Sequence, residues 1–211
     1  MSAAIRLGID FDNTLVCYDR VFHTTAAADG LIPHELAVNK TMIRDYIRSH
    51  AGPEAWTKLQ GAVYGKQIES ASPFEGVKEC LDHLKASGVC LILISHKTKW
   101  PVVGPKWDLQ AAAWAWLEAQ NFYSEQSSEN LFDEVWFEET REGKYQRIRD
   151  WECDLFLDDL PEFLADEEFP KCCRPVLFDP LRIHAEMAPD VRRISSWREL
   201  PELIDSWDAA S

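Results

Sequence analysis

Positive charge is in short supply in this chain. Only 22 Lys and Arg stand against 36 Asp and Glu, a formal net charge of −14 over 211 residues. Sequence-independent nucleic-acid binding needs a basic footprint, and so does an anionic membrane surface. Neither partner is expected. An anionic small molecule is still admissible, because local cations or a metal can override the overall field. The opening residues, Met1-Ser2-Ala3-Ala4-Ile5-Arg6, lack the basic region, apolar stretch and cleavage site of a signal peptide. No apolar run is long enough to span a bilayer. Cys17, Cys80, Cys90, Cys153, Cys172 and Cys173 are scattered and make no CxxC pair. They read as reduced, mostly structural thiols, and the protein is expected in the cytoplasm. There is no internal repeat, no low-complexity tract, and no feature that sets an oligomeric state. What is present is a hydrophobic content of 46%, enough for one sizeable core and a small insertion. The nine tryptophans read as packing rather than a ligand cage, with Trp114 and Trp116 in a helical stretch and Trp136 in a strand.

The stretch that organises the rest is Leu7-Gly8-Ile9-Asp10-Phe11-Asp12-Asn13-Thr14. Ile5, Leu7 and Ile9 read as a buried strand. Its period of two places Asp10 and Asp12 on one side while the chain stays extended, and Asp-Asn-Thr marks the turn out of it. Open α/β sheets bind ligands at such C-terminal strand edges. Two carboxylates there repel and titrate together. A divalent cation such as Mg²⁺ relieves the repulsion. Taken alone, the same residues also fit an acidic turn after a strand.

Residues 18–72 interrupt the α/β rhythm. One helix is predicted from Pro33 to Arg48 and a second after Pro53, carrying Trp56, Leu59 and Val63, with Gly52-Pro53 between them. This segment is expected to be a small helical cap inserted into a core made of 1–17 and 73–211. The pattern resumes with a helix over Phe74–Ser87 and a strand over Val89–Ile94 that ends in Ser95. A helix over Lys106–Gln120 and a strand over Phe132–Phe137 follow. A helix over Lys144–Asp150 then leads to strand Leu155–Leu157, ending in Asp158-Asp159. Strands at Pro175–Phe178 and Val191–Ile194 and a closing helix from Trp197 to Ser206 complete the chain. Alternating strands and helices predict a three-layer, Rossmann-like, mostly parallel sheet.

Parallel strands with right-handed crossovers end on one edge of the sheet. Asp10 and Asp12, Ser95, and Asp158 and Asp159 can therefore converge. Lys144, at the start of the helix before the last of these strands, comes to the same rim. In order and spacing this set resembles the haloacid dehalogenase superfamily, in its phosphatase branch. The matching stretches are Gly8-Ile9-Asp10-Phe11-Asp12-Asn13-Thr14, Leu91-Ile92-Leu93-Ile94-Ser95, Lys144, and Leu155-Phe156-Leu157-Asp158-Asp159. The resemblance implies Asp10 as nucleophile, forming an aspartyl-phosphate, and Asp12 as general acid and base. It implies Ser95, Lys144 and Thr14 around the phosphoryl group. It also implies Mg²⁺ held by Asp10, Asp12 through its backbone carbonyl, Asp158 and Asp159. The second Asp favours phosphoryl transfer, since the dehalogenase branch lacks that acid/base.

The expected activity is hydrolysis of a small phosphorylated metabolite. A phosphotransferase or mutase would use the same site with a different acceptor. A non-catalytic module that kept the fold is a third reading, opposed by the presence of Asp10, Asp12, Lys144 and the acidic pair. Lys97, Lys99 and Lys106 compete with Lys144 for the phosphate role. Ser95 and Asp179 also fit plain turn chemistry, and His96 an exposed loop. Arg20, His23, Tyr64 and Lys66 are cap or rim candidates, each of which also suits an ordinary surface residue.

Overall fold

The computed structural model describes residues 4–184 and 190–208. Walking the chain, the elements are β1 (Arg6–Ile9), β2 (Val16–Cys17), α1 (Asp19–Ala28), α2 (Lys40–His50), α3 (Pro53–Tyr64) and β3 (Ser72–Pro73). Next come α4 (Val77–Ala86), β4 (Cys90–His96), α5 (Leu109–Ala119), β5 (Glu134–Glu138) and α6 (Arg141–Asp150). The last are β6 (Leu155–Asp158), α7 (Pro161–Leu164), β7 (Arg174–Phe178), β8 (Arg192–Ile194) and α8 (Leu200–Asp208). No helix among the described residues is long and apolar enough to cross a membrane.

Two compact units divide these elements. The first comprises Met1–Leu15, Pro73–His96 and Glu125–Ser211. Its centre is a six-stranded sheet in the order β5-β4-β1-β6-β7-β8, with parallel pairing throughout. The predicted parallel α/β sheet is therefore present. Side chains alternate across it as the pleat requires. Ile92 and Ile94 of β4, Phe156 of β6 and Leu177 of β7 form one core with Tyr145 and Ile148 of α6 and Phe163 and Leu164 of α7. On the opposite face, Phe178 meets Phe74 and Trp197 edge-on or tilted. Both faces are thus covered, which is why the central strands read as unbroken apolar runs.

Gly8 in β1 has a steric reason. A Cβ there would lie 2.4 Å from Cδ2 of Phe156 and 3.1 Å from the Cys153 sulfur. The missing side chain lets the Phe156 ring lie against the β1 backbone. α7 escaped the sequence reading because it is a single turn of four residues, too short to show a period.

The second unit comprises Val16–Ser72 and also Lys97–Ser124, so α5 joins the stretch that the sequence marked out. Within it α1, α2 and α3 pack on one another, and α3 packs on α5. Phe22 and Trp56 stack at 4.8 Å, and Trp116 Nε1 donates to the Ala71 carbonyl at 2.8 Å. α1 had no clear sequence signature. Its buried positions are Val21, Phe22, Ala26 and Ala27, half of them alanine, which leaves a weak apolar stripe. The helix expected from Pro33 begins only at Lys40. There the Asn39 side chain accepts from the Met42 N–H at 2.9 Å and fixes the start.

Candidate active site

β1 lies between β4 and β6, and the two registers align the strand ends. Ile9 pairs with Leu93 on one side and Leu157 on the other. One step further, Asp10 is level with Asp158; two steps further, Ser95 reaches the same edge. The Asp10 N–H still donates to the Leu157 carbonyl at 2.9 Å, so the ladder holds the backbone up to the carboxylate. The chain then turns. Asn13 takes a left-handed conformation at φ 60°, which asparagine tolerates better than most residues. Thr14 is fully buried; its carbonyl accepts from Trp197 Nε1 at 3.1 Å, while its hydroxyl has no hydrogen-bond partner among the described residues.

Lys144 joins the two strand ends. Its Nζ donates to Asp10 Oδ1 and to Asp158 Oδ2, each at 2.6 Å. The three side chains are 3%, 8% and 0% exposed, so these ion pairs are shielded from water. Lys144 sits in the first turn of α6, whose start is set by Thr140 Oγ1 accepting the Gly143 N–H at 3.0 Å. At the end of β6, Asp158 Oδ1 also accepts the Leu160 N–H at 2.9 Å. Asp159 is half-buried beside it.

One carboxylate oxygen from each of Asp10, Asp158 and Asp159 lies within 4.8 Å of the others. Three hard oxygen donors so close suit a small divalent cation, whose bonds to oxygen run about 2.0–2.1 Å. Asp12 is a further carboxyl group close enough to act on Asp10. Burial pushes the Asp10 carboxyl up to about 7, and the neighbouring Asp158 and Asp12 add to the rise while Lys144 opposes it. Burial works against charged Lys144, but Asp10 and Asp158 outweigh it and hold the ammonium above the usual lysine range.

The other sequence candidates fall as follows. Ser95 is buried at the end of β4. His96 is exposed, its Nε2 3.2 Å from the Glu139 carbonyl. Lys99 lies 3.9 Å from Asp108, and Lys106 is exposed. Lys97 is buried in the helical unit, with its Nζ 5.2 Å from the Tyr64 ring centroid. Arg20 and Lys66 are exposed, and the His23 ring reaches the Leu36 carbonyl at 2.8 Å. Asp179 serves its turn: its carboxylate accepts the Ile183 and His184 N–H groups at 3.0 and 3.2 Å. The sequence reading missed the aromatic residues under Lys144. The ammonium lies 4.3 Å from the Phe163 ring centroid and 5.1 Å from that of Phe156. No local pattern marks Phe163, since the contact forms only when α7 folds against α6.

No family model matches the chain, and no curated protein matches it. Its fold does match solved structures. A predicted phosphoglycolate phosphatase from Haemophilus somnus superposes with a TM-score of 0.57 at 15% identity, covering 97% of this chain and 99% of that one. The 2-haloacid dehalogenase from Pseudomonas syringae gives 0.53 at 14% identity, covering 97% and 100%. The HAD-hydrolase YfnB from Bacillus subtilis, solved bound to magnesium, gives 0.55 at 11% identity, covering 97% and 100%.

Proposed function

We propose that this chain, which has the haloacid dehalogenase-like hydrolase fold, is a Mg²⁺-dependent phosphatase of small phosphomonoesters. The observation that carries the reading is the Lys144 bridge between Asp10 and Asp158, with Asp159 alongside and Asp12 two residues beyond Asp10. The solved neighbours include both a phosphatase and a dehalogenase. Asp12 favours the phosphatase, because a second carboxyl group supplies the proton that a phosphate ester's leaving oxygen needs and a carbon–halogen bond does not.

Asp10, Asp158 and Asp159 would hold the Mg²⁺, together with the Asp12 carbonyl. When bound, the cation offsets the charge between the Asp10 carboxylate and an anionic phosphate. The Asp10 carboxylate then attacks phosphorus as the bond from phosphorus to the leaving oxygen breaks, and the Asp12 carboxyl group gives its proton to that oxygen. In the second half, the Asp12 carboxylate takes a proton from water as its oxygen attacks the aspartyl-phosphate. Inorganic phosphate leaves and Asp10 is restored. Lys144 keeps Asp10 aimed and offsets charge on the phosphoryl group, and Ser95 and Thr14 supply hydroxyls to it.

The test is hydrolysis of a generic aryl phosphate by the wild type and by Asp10→Asn. We expect turnover that requires Mg²⁺ and is lost in the variant. Chloride release from 2-chloropropionate, with no phosphate released from the aryl ester, would overturn the reading in favour of a dehalogenase. Added alcohols that divert the phosphoryl group from water would instead identify a transferase.

A further inference from the structure

Lys144 offers two of its three ammonium hydrogens to Asp10 and Asp158, both at 2.6 Å. On a further side it meets the Phe163 ring at 4.3 Å from the centroid, inside the range of a cation–π contact. The setting is dry: Lys144 and Phe163 are each 3% exposed. Phe163 is itself held by its neighbours. It stacks on Tyr145 at 4.6 Å with an interplanar angle of 18°. The Tyr145 hydroxyl donates to the Phe163 carbonyl at 3.2 Å and accepts from Arg141 Nε at 2.8 Å. The Arg141 guanidinium lies 5.4 Å from the Phe163 ring centroid and pairs with Asp166 at 3.1 Å. Lys144 and Tyr145 are neighbours on α6. Phe163 stands on α7, which begins two residues after Asp159.

We propose that Phe163 is a positioning residue for Lys144: its ring face steadies the ammonium so that two of its hydrogens stay aimed at Asp10 and Asp158. An oxygen acceptor in the same place would draw the ammonium away from the carboxylates. A ring face attracts the charge without offering a competing lone pair. Phe163 also ties the helix that carries the lysine to the turn that carries the acidic pair, so lysine and acids keep one spacing. The inference rests on the reading of Lys144 as the phosphoryl-site lysine.

The experiment replaces Phe163 alone with phenylalanines bearing one, three and five ring fluorines. Fluorination drains the ring face of negative charge at nearly constant shape. Turnover of an aryl phosphate with Mg²⁺ and the thermal midpoint are read for each protein. So is the resonance of the Lys144 ε-methylene protons, which a ring directly beneath shifts upfield. We expect kcat/KM to fall stepwise, by about 10-fold at five fluorines, mostly in kcat. Phe163→Tyr should keep most of the activity. A core-filling role alone predicts a flat series with unchanged midpoints, and that result overturns the inference while leaving the phosphatase reading intact. If the wild type turns over no phosphate ester, the phosphatase reading has failed. A Lys144 resonance that still tracks fluorination then supports the cation–ring contact, and one that does not move removes it too.

Discussion

Lys144 shows how much depends on one side chain at the residue scale. Its ammonium sits between two buried carboxylates whose like charges repel. Removing one partner from a buried ion pair costs about 3–5 kcal/mol, because the remaining charge is left unbalanced. Lys144→Met should fall at the low end of that range, because Asp10, already pushed up to about 7, can take a proton instead. Chemical denaturation without metal measures the loss. The same variant tests whether the ammonium and the cation share their ligands. With the lysine gone, Mg²⁺ no longer competes with it for Asp10 and Asp158, so the metal should raise the midpoint of Lys144→Met more than that of the wild type. Equal shifts would mean that cation and ammonium occupy separate places. Activity should drop by about 10²–10³-fold in kcat, the usual loss when a donor aimed at a developing charge is deleted.

Single elements carry the precision of the site. Lys144 lies in the first turn of α6, where N–H groups lack partners within the helix. Thr140 Oγ1 takes one of them from Gly143. Thr140→Ala should cost about 1 kcal/mol of stability and reduce kcat severalfold with little change in KM, as the first turn frays around the lysine. Thr140→Ser keeps the cap oxygen and should restore both, and a Ser variant as impaired as Ala would show that the methyl group, not the cap, matters. The same elements mark what could be read in advance. β1, β4 and β6 were legible because a buried parallel strand is a continuous apolar run, and the polar residues at their ends, Asp10, Ser95 and Asp158, were read with them. The place of Lys144 one helix before β6 put it at the same rim, where its ammonium meets Asp10 and Asp158. α1 and α7 were not legible, one for its weak apolar stripe and the other for its single turn. The Phe163 support was invisible for a different reason: nothing in the sequence around 163 states that α7 folds against α6. The grouping of Lys97–Ser124 with the helical unit is likewise decided by packing, not by local pattern.

Over the whole molecule, the six cysteines report how the chain is closed to solvent. All are free thiols; Cys172 is exposed, Cys17 and Cys90 are half-buried, and Cys80, Cys153 and Cys173 are buried. Thiolates are the reactive form. Burial pushes the Cys80 and Cys153 thiols up to about 12 and raises Cys17, Cys90 and Cys173 as well. At pH 8 a thiol reagent should therefore label one site quickly in the native protein, and Cys172→Ser should abolish that phase. The other five should become reactive when the chain unfolds. The same shifts set a pH dependence of sign opposite to that of a salt-bridged carboxylate. In the unfolded chain these thiols ionise near about 8.5, whereas Cys80 and Cys153 in the folded protein hold their protons to about 12. Above the unfolded value the unfolded chain binds fewer protons than the folded one, so stability falls with rising pH. The contribution is complete below about pH 8.5 and is lost as the pH climbs through about 12. Urea midpoints measured from pH 8 to 11 should decline, and the decline should be shallower in a Cys80→Ala, Cys153→Ala double variant. An unchanged slope would assign the alkaline loss to groups other than these two thiols.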